Sequence, residues 1–147
     1  MIKTVTFCGH STLSYEEEEA LFPLICTEAE KLIKNGADTF LLGGYGSFDY
    51  LCALAVKKLK VKYPSITSIF VIPYLNRTYN DDLYDLTEYP PIEKVPPRYA
   101  ISKRNEYMVQ KSDAVIAYVK YSFGGASTTL NYAIRKKKEI IRLLYKL

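Results

Sequence analysis

Residues 40–49 (FLLGGYGSFD) constrain the fold of this chain more than any other stretch. An apolar run ends at Gly43 and Gly44, and Gly46 and Ser47 follow just before a helical pattern begins. A strand that runs through glycines into a helix is how α/β folds build an anion site. Glycine lets backbone N–H groups approach a ligand, and the positive end of the helix dipole faces it. The same corner also occurs where nothing binds, so both interpretations stay open here.

Composition predicts an ordinary globular chain. Its 147 residues, 48% hydrophobic and 24% charged, suit a single domain over residues 1–147. Cys8, Cys26 and Cys52 are odd in number and widely spaced, which predicts reduced thiols rather than disulfides or a metal cluster. The single histidine cannot form a histidine metal site, and we expect no metal and no cofactor. Without a signal sequence or a long apolar run, we expect a cytoplasmic protein with no membrane contact.

The net charge of +4 is mild, and much of the excess lies in one basic run at residues 135–138 (RKKK). Such a run at the end of a helix usually complements the helix dipole and stays solvated. Nucleic-acid-binding proteins usually collect more positive charge on one face. The charge pattern therefore does not favour nucleic acid as a partner, and we expect a small-molecule ligand.

Apolar periodicity predicts alternating strands and helices. β-branched and aromatic runs indicate strands at residues 4–8, 39–42, 66–72, 114–119 and 140–144. Helical patterns lie between them. The acidic run at residues 16–19 (EEEE) indicates the start of the first helix, and Pro23 suits a first helical position. Residues 74–97 are polar and rich in tyrosine and proline, which predicts a long binding loop, lid or subunit contact. The predicted fold is α/β: a doubly wound, mostly parallel sheet of about five strands with helices on both faces.

A second glycine corner follows the fourth strand at residues 124–129 (GGASTT). Ser127, Thr128 and Thr129 there add hydroxyl groups beside backbone N–H groups. The first strand ends in a third polar segment: Gly9, His10 and Ser11. Because the carboxyl ends of parallel strands meet at one edge of a sheet, these segments are expected to converge on one crevice. Phosphate or ribose suits such a crevice, and His10 is placed to hydrogen-bond either.

Several motifs together resemble a known family. They are GH at 9–10, GGYGSFD at 43–49, RNEYM at 104–108, SDA at 112–114 and GGAST at 124–128. In this order they resemble the Lonely Guy proteins and, more broadly, the SMF/DprA–Lonely Guy (SLOG) superfamily of Rossmann-like domains. The layout is most similar to short, stand-alone bacterial and phage-type members. The resemblance extends from Val5 to Leu143.

The resemblance implies binding of a nucleotide or nucleotide-derived ligand. Enzymatic Lonely Guy members hydrolyse an N-glycosidic bond with a Gly-Gly-x-Gly-Thr-x-x-Glu motif and an upstream arginine. In this chain Gly124, Gly125, Thr128 and Arg104 match that pattern. Ser127 replaces the third glycine, and Asn131 stands where the glutamate is expected.

The presence of Asn131 in place of the expected glutamate affects whether the chain can cleave an N-glycosidic bond. Cleavage of an N-glycosidic bond builds positive charge on the ribose, which a carboxylate stabilises and an amide does not. Asn131 can still hydrogen-bond ribose hydroxyls. Asp49 is the alternative carboxylate, with Arg104 as its catalytic partner, although Asp49 also suits a purely structural role as an acceptor for loop N–H groups.

Three hypotheses follow. The first is a non-enzymatic nucleotide-binding sensor or sequestering protein, the second an N-glycoside hydrolase or glycosyl transferase, and the third a nucleic-acid-binding module. We expect a homodimer, as is common in the superfamily. The residues predicted to bind the ligand are Gly9, His10, Ser11, Gly43, Gly44, Gly46, Ser47, Arg104, Asn105, Gly124, Gly125, Ser127, Thr128 and Asn131.

Overall fold

The computed structural model describes residues 1–144, so the last three residues of the predicted 1–147 domain lie outside the described part. Its strands are Thr4–Gly9 (β1), Thr39–Leu42 (β2), Thr67–Val71 (β3), Leu86–Glu88 (β4), Ala114–Tyr118 (β5) and Glu139–Arg142 (β6). Its helices are Tyr15–Lys34 (α1), Gly46–Lys62 (α2), Ala100–Lys111 (α3) and Gly125–Arg135 (α4). A single 3-10 turn at Pro97–Tyr99 precedes α3.

All strand pairs are parallel, and the sheet order is β4-β3-β2-β1-β5-β6. From β1 the chain builds outward through β2 and β3 to β4. It then crosses back to place β5 on the other side of β1. The strand order therefore reverses between β1 and β5, which is where open α/β sheets form ligand crevices. The predicted α/β class is confirmed.

The sheet has six strands rather than about five. The additional strand, β4, lies within the segment that the sequence predicts as a loop. It is three residues long and carries no apolar alternation, so periodicity does not detect it. Asp85 secures this edge: its Oδ2 accepts hydrogen bonds from the Ser68 N–H at 2.8 Å and from Lys60 Nζ at 2.8 Å.

The core has two layers, as the period-two geometry of strands requires. Val5 and Phe7 of β1 face the layer formed with α1 and α2. Cys8 faces the opposite layer, where Val109 of α3 and Leu130 of α4 pack. Helices on both faces explain why the central strands read as nearly continuous apolar runs.

Helix α1 begins at Tyr15, so the acidic run lies at the helix start as predicted. Pro23 is eight residues further on, so its predicted place at the first helical position is wrong. Ser14 caps the helix: its Oγ accepts from the Glu17 N–H at 3.1 Å, and Glu17 Oε1 accepts from the Ser14 N–H at 3.1 Å. This reciprocal pair satisfies two backbone donors at the helix start. The acidic run is thus the first turn of the helix, and Pro23 lies inside it on an exposed position.

Candidate functional site

A cavity of about 390 Å³ opens at the carboxyl edge of the sheet, beside the point where the strand order reverses. The end of β1, the start of α2, one face of α3 and the start of α4 form its walls. The lining residues are Phe7, Cys8, Gly9, His10, Ser11, Thr12, Tyr45, Asp49, Ile101, Arg104, Asn105, Met108, Tyr121, Phe123, Gly124, Gly125, Ala126 and Thr129. We call this cavity the crevice.

The first glycine corner, at the start of α2, is closed by the protein itself. The Ser47 N–H donates to the Ser11 carbonyl at 2.8 Å, and the Phe48 N–H donates to the His10 carbonyl at 3.3 Å. The Tyr45 N–H donates to Asp49 Oδ2 at 2.9 Å. Two of the first three backbone donors of α2, and the Tyr45 N–H before them, are therefore already engaged here.

Glycines at this first corner serve close packing. A Cβ atom at Gly46, whose φ is +90°, would lie 2.5 Å from Ser11 Cα. A Cβ atom at Gly44 would lie 2.5 Å from the Phe70 ring, and one at Gly9 would lie 2.3 Å from the Phe48 ring. The corner is a tight joint between the loop after β1 and the start of α2.

The second glycine corner, at the start of α4, is open. Gly124 has φ of +93° and turns the chain into the helix, and the Thr128 N–H donates to its carbonyl at 3.0 Å. Across residues 1–144, the N–H groups of Gly125, Ala126 and Ser127 have no acceptor. A Cβ atom at Gly124 or Gly125 would meet nothing within 4 Å. This corner presents free backbone donors to the crevice.

Arg104 forms part of the crevice wall although its side chain is almost fully buried, at 1% exposure. Its Nη1 donates to the Gly43 carbonyl at 2.7 Å and to the Val71 carbonyl at 2.8 Å, which ties α3 to the ends of β2 and β3. Its Nε donates to Asn105 Oδ1 at 3.0 Å. The position of Arg104 therefore serves the fold as well as the crevice.

Asp49 faces the same wall. A Cβ atom at Gly43 would lie 3.1 Å from Asp49 Oδ2 and 3.3 Å from Arg104 Nη2, so the two charged groups approach each other across this glycine. Burial raises the pKa of Asp49 to about 6, against the lowering effects of the Tyr45 N–H and the Arg104 charge. A carboxyl group with this pKa changes its protonation state just below neutral pH.

Aromatic side chains form the rim of the crevice, and the sequence reasoning did not identify them. The rings of Tyr121 and Phe123 stack with centroids 5.3 Å apart, and these residues are 47% and 72% exposed. Tyr45, directly before α2, also lines the crevice and is 59% exposed. Their place in the sequence could have predicted this role, because Tyr121 and Phe123 directly precede the second glycine corner.

The structure brings eight of the predicted site residues to the crevice. They are Gly9, His10, Ser11, Asp49, Arg104, Asn105, Gly124 and Gly125. The others lie outside its lining: Gly43, Gly44, Gly46, Ser47, Ser127, Thr128 and Asn131. Ser127 is buried, whereas Asn131 lies on an exposed part of α4 beyond the first turn. Of the three hydroxyl residues predicted at the second glycine corner, only Thr129 is among the lining residues.

No group of three or more histidine, cysteine, aspartate or glutamate side chains in residues 1–144 is arranged to hold a metal ion. Within the same range, no helix combines the length and apolar character needed to cross a membrane. Cys8, Cys26 and Cys52 are free thiols, as predicted.

The fold of this chain recurs in proteins of known structure, and one curated protein resembles it in sequence. No protein-family model matches the chain. In sequence, it is 26% identical over 132 residues to the uncharacterized SPbeta prophage-derived protein YoqJ of Bacillus subtilis strain 168, covering 75% of this chain and 77% of that protein.

Solved structures extend the comparison. DNA processing protein A (DprA) of Helicobacter pylori and of Streptococcus pneumoniae superpose with TM-scores of 0.68 and 0.71 at 19% and 17% identity. Each match covers 99% of this chain, but only 67% and 52% of the DprA chains. The molybdenum cofactor carrier protein of Chlamydomonas reinhardtii gives a TM-score of 0.62 at 13% identity, covering 95% of this chain and 76% of that structure. The resemblance drawn from the motifs is thus confirmed for the fold.

These neighbours correct one prediction. The sequence did not favour nucleic acid as a partner, and this was wrong: the Helicobacter pylori DprA structure describes a single-stranded DNA binding mode on the same fold. The prediction relied on net charge and a single basic run. Single-stranded nucleic acid can also be held by stacking on aromatic rings, which overall charge does not reveal. A protein that binds single-stranded DNA therefore shares the fold of this chain.

Proposed function

We propose that the chain binds a nucleotide or nucleotide-derived ligand in the crevice and acts as a sensor or sequestering protein. The observation that carries this proposal is the open start of α4, where three backbone N–H groups have no acceptor among the described residues. Phosphate is the chemical group that such a helix start favours, because the donors and the helix dipole act together. The phosphate would lie against Gly125 and Ala126.

The rest of the crevice suits the rest of a nucleotide. The stacked rings of Tyr121 and Phe123 offer a surface for a base, and base–aromatic stacking contributes roughly 1–3 kcal/mol per base. The cavity volume of about 390 Å³ lies within the roughly 300–1,000 Å³ typical of small-molecule sites. Arg104 adds a positive charge to the wall.

The two candidate catalytic positions favour a protein that binds its ligand without catalysing a reaction. Asn131 replaces the expected glutamate and lies outside the crevice lining. Asp49 lines the crevice, but its Oδ2 accepts the Tyr45 N–H and so holds the first glycine corner. These two positions support a binding protein rather than an enzyme.

The proposal is tested by titrating AMP into the purified protein by calorimetry. Gly125→Ala places a methyl group at the proposed phosphate position without meeting protein atoms within 4 Å. We expect AMP affinity to fall roughly tenfold or more, a change of about 1.4 kcal/mol. Lys57→Ala, on the exposed face of α2, is the matched control and should bind as the wild type does. Undetectable binding by the wild type, or equal affinity in both variants, would contradict the proposal.

A second candidate function, hydrolysis or transfer at an N-glycosidic bond, is favoured by one observation. Asp49 is a carboxyl group on the crevice wall whose pKa, about 6, suits general acid–base catalysis near neutral pH. Release of free adenine from AMP, followed by chromatography, tests this candidate. Abolished release in Asp49→Asn would support it, and unchanged release would remove Asp49 from the reaction.

A third candidate, single-stranded nucleic acid as the ligand, is favoured by the exposed rings at the rim. Tyr45, Tyr121 and Phe123 are open to a strand that continues beyond the crevice. A fluorescent oligothymidylate titrated at low salt tests it. Binding that weakens with added salt and in Phe123→Ala would support this candidate, and no binding at low salt would reject it.

A further inference from the structure

A backbone hydrogen bond to one nitrogen of the His10 imidazole determines which tautomer the ring adopts. Its Nε2 accepts a hydrogen bond from the backbone N–H of Lys120 at 2.9 Å. A ring nitrogen that accepts cannot also carry a proton, so the ring is neutral with its proton on Nδ1. In the described chain, Nδ1 donates to no protein acceptor, and His10 lines the crevice.

The surroundings of His10 keep it neutral. Its ring packs against Tyr121 at 5.0 Å and edge-on to Tyr118 at 5.8 Å between centroids. Burial and the positive charge of Lys120 lower the pKa of His10, and the charge of Glu17 opposes them. A neutral imidazole in this orientation has one donor left to offer to a ligand.

Glu17 holds Lys120 in place from the other side. Glu17 Oε2 accepts from Lys120 Nζ at 2.9 Å and from the Tyr118 hydroxyl at 2.5 Å. Oε1 accepts from the Ser14 N–H at 3.1 Å, so both carboxylate oxygens are engaged. The Glu17 side chain is buried, and a buried carboxylate with three donors is a fixed anchor.

This arrangement links α1 to the crevice through one residue. The Lys120 side chain is held by Glu17 while its backbone N–H holds His10. Its ammonium also lies 5.2 Å from the centre of the Tyr121 ring, at the rim. Movement of Lys120 would therefore change both the imidazole and the proposed stacking surface.

We propose that His10 donates its Nδ1–H to an acceptor oxygen of the ligand, and that Glu17, acting through Lys120, is the positioning residue that selects this tautomer. The inference rests on the proposed function and deepens it. His10 would select for a phosphate, ribose or carbonyl oxygen at its side of the crevice. An amino group there would meet a donor and be rejected.

The tautomer can be measured without any ligand. Because the chain contains a single histidine, ¹⁵N NMR of the imidazole reports His10 alone. We expect a protonated Nδ1 and an unprotonated Nε2 at neutral pH. A proton on Nε2 overturns the inference.

A pair of variants separates ligand donation from simple support of the loop. Asparagine places its amide near the Nδ1 position of histidine, whereas glutamine reaches the Nε2 position. His10→Asn should therefore keep much of the AMP affinity, within about threefold, and His10→Gln should lose roughly tenfold. The reverse order would show that His10 only supports Lys120 and would overturn the inference.

The role of Glu17 is tested by Glu17→Gln, with Glu16→Gln on the exposed side of the same helical turn as control. We expect mixed His10 tautomers and severalfold weaker AMP binding in Glu17→Gln only. Should that variant fail to fold, Lys120→Met removes the ammonium but keeps the backbone N–H. The same two changes are expected in Lys120→Met, because it also breaks the contact with Glu17. Unchanged tautomer and affinity in whichever of these variants folds would overturn the positioning role. Absence of AMP binding by the wild type would instead overturn the proposed function, while the NMR of the free protein still decides the tautomer.

Discussion

At the scale of single residues, Asp49 combines two roles that the sequence left open. It accepts the Tyr45 N–H and so shapes the first glycine corner, and it also faces the crevice beside Arg104. Burial raises its pKa, which means that its charged form destabilises the fold. The contribution of Asp49 to stability therefore falls as pH rises and the carboxyl group ionises.

We predict that Asp49 titrates near 6 rather than at the ordinary value of 3.8. Since the folded pKa lies above the unfolded one, this group lowers stability as pH rises from about 4 towards 7. The effect amounts to about 1–2 kcal/mol after allowing for its contact with the cavity. Carboxyl ¹³C NMR gives the pKa. Unfolding curves should show the wild type losing stability relative to Asp49→Asn over this range, and parallel curves would contradict the prediction.

Replacement of glycine by alanine should affect stability much more at the first glycine corner than at the second. Gly46→Ala should destabilise the protein by about 2–4 kcal/mol, because φ is +90° and the new Cβ would lie 2.5 Å from Ser11 Cα. Gly125→Ala should change stability by less than about 1 kcal/mol, since no atom lies within 4 Å and alanine favours helices. Denaturant unfolding of both variants measures the contrast. Equal losses would show that the second corner is packed rather than open.

At the scale of the elements, the start of α1 matters beyond the helix itself. Ser14 and Glu17 form the capping box, and Glu17 also anchors the segment after β5. The same carboxylate thus satisfies helix donors and holds a wall of the crevice. Burial acts to raise the pKa of Glu17, but the Tyr118, Lys120 and Ser14 donors together lower it to about 2.

Ser14→Ala should cost about 1 kcal/mol, because it removes the acceptor for the Glu17 N–H. Thr27→Ala, at an exposed position within α1, is the matched control and should change stability by less than about 0.5 kcal/mol. Thermal or denaturant unfolding measures both. A Ser14→Ala variant as stable as Thr27→Ala would show that Glu17 is held by Tyr118 and Lys120 without the cap.

At the scale of the whole molecule, Arg104 connects elements distant in sequence. Its guanidinium joins α3 to the carbonyl groups at the ends of β2 and β3, directly below the crevice. This explains how a buried charge is retained in the fold. Backbone carbonyls at strand ends have no sheet partner of their own, and the arginine supplies one.

Arg104→Met should therefore destabilise the protein by about 2–4 kcal/mol, because two buried carbonyl groups lose their donor. Arg98→Met is the matched control, since Arg98 is exposed at the 3-10 turn before α3 and should cost less than about 0.5 kcal/mol. Urea unfolding compares the two. A small loss for Arg104→Met would mean that water replaces the guanidinium and that Arg104 serves the ligand rather than the fold.

The sequence by itself determined the α/β class, five of the six strands and the residues at the carboxyl edge of the sheet. These follow from local patterns: apolar periodicity, glycines after strands and β-branched runs. It missed β4 because that strand is polar and is held by Asp85, a contact made possible only by folding. It placed the acidic run correctly at the start of α1 but put Pro23 at the first helical position, because it did not recognise the capping box at Ser14.

Only the tertiary structure decided which glycine corner is open. Both corners have the same sequence character, and both begin helices. The carbonyls of His10 and Ser11, more than 30 positions earlier in the chain, engage the amides of α2, whereas no described segment does so for α4. Whether the N–H groups at a helix start are hydrogen-bonded depends on which segment the fold places beside them. Local sequence patterns do not predict that segment.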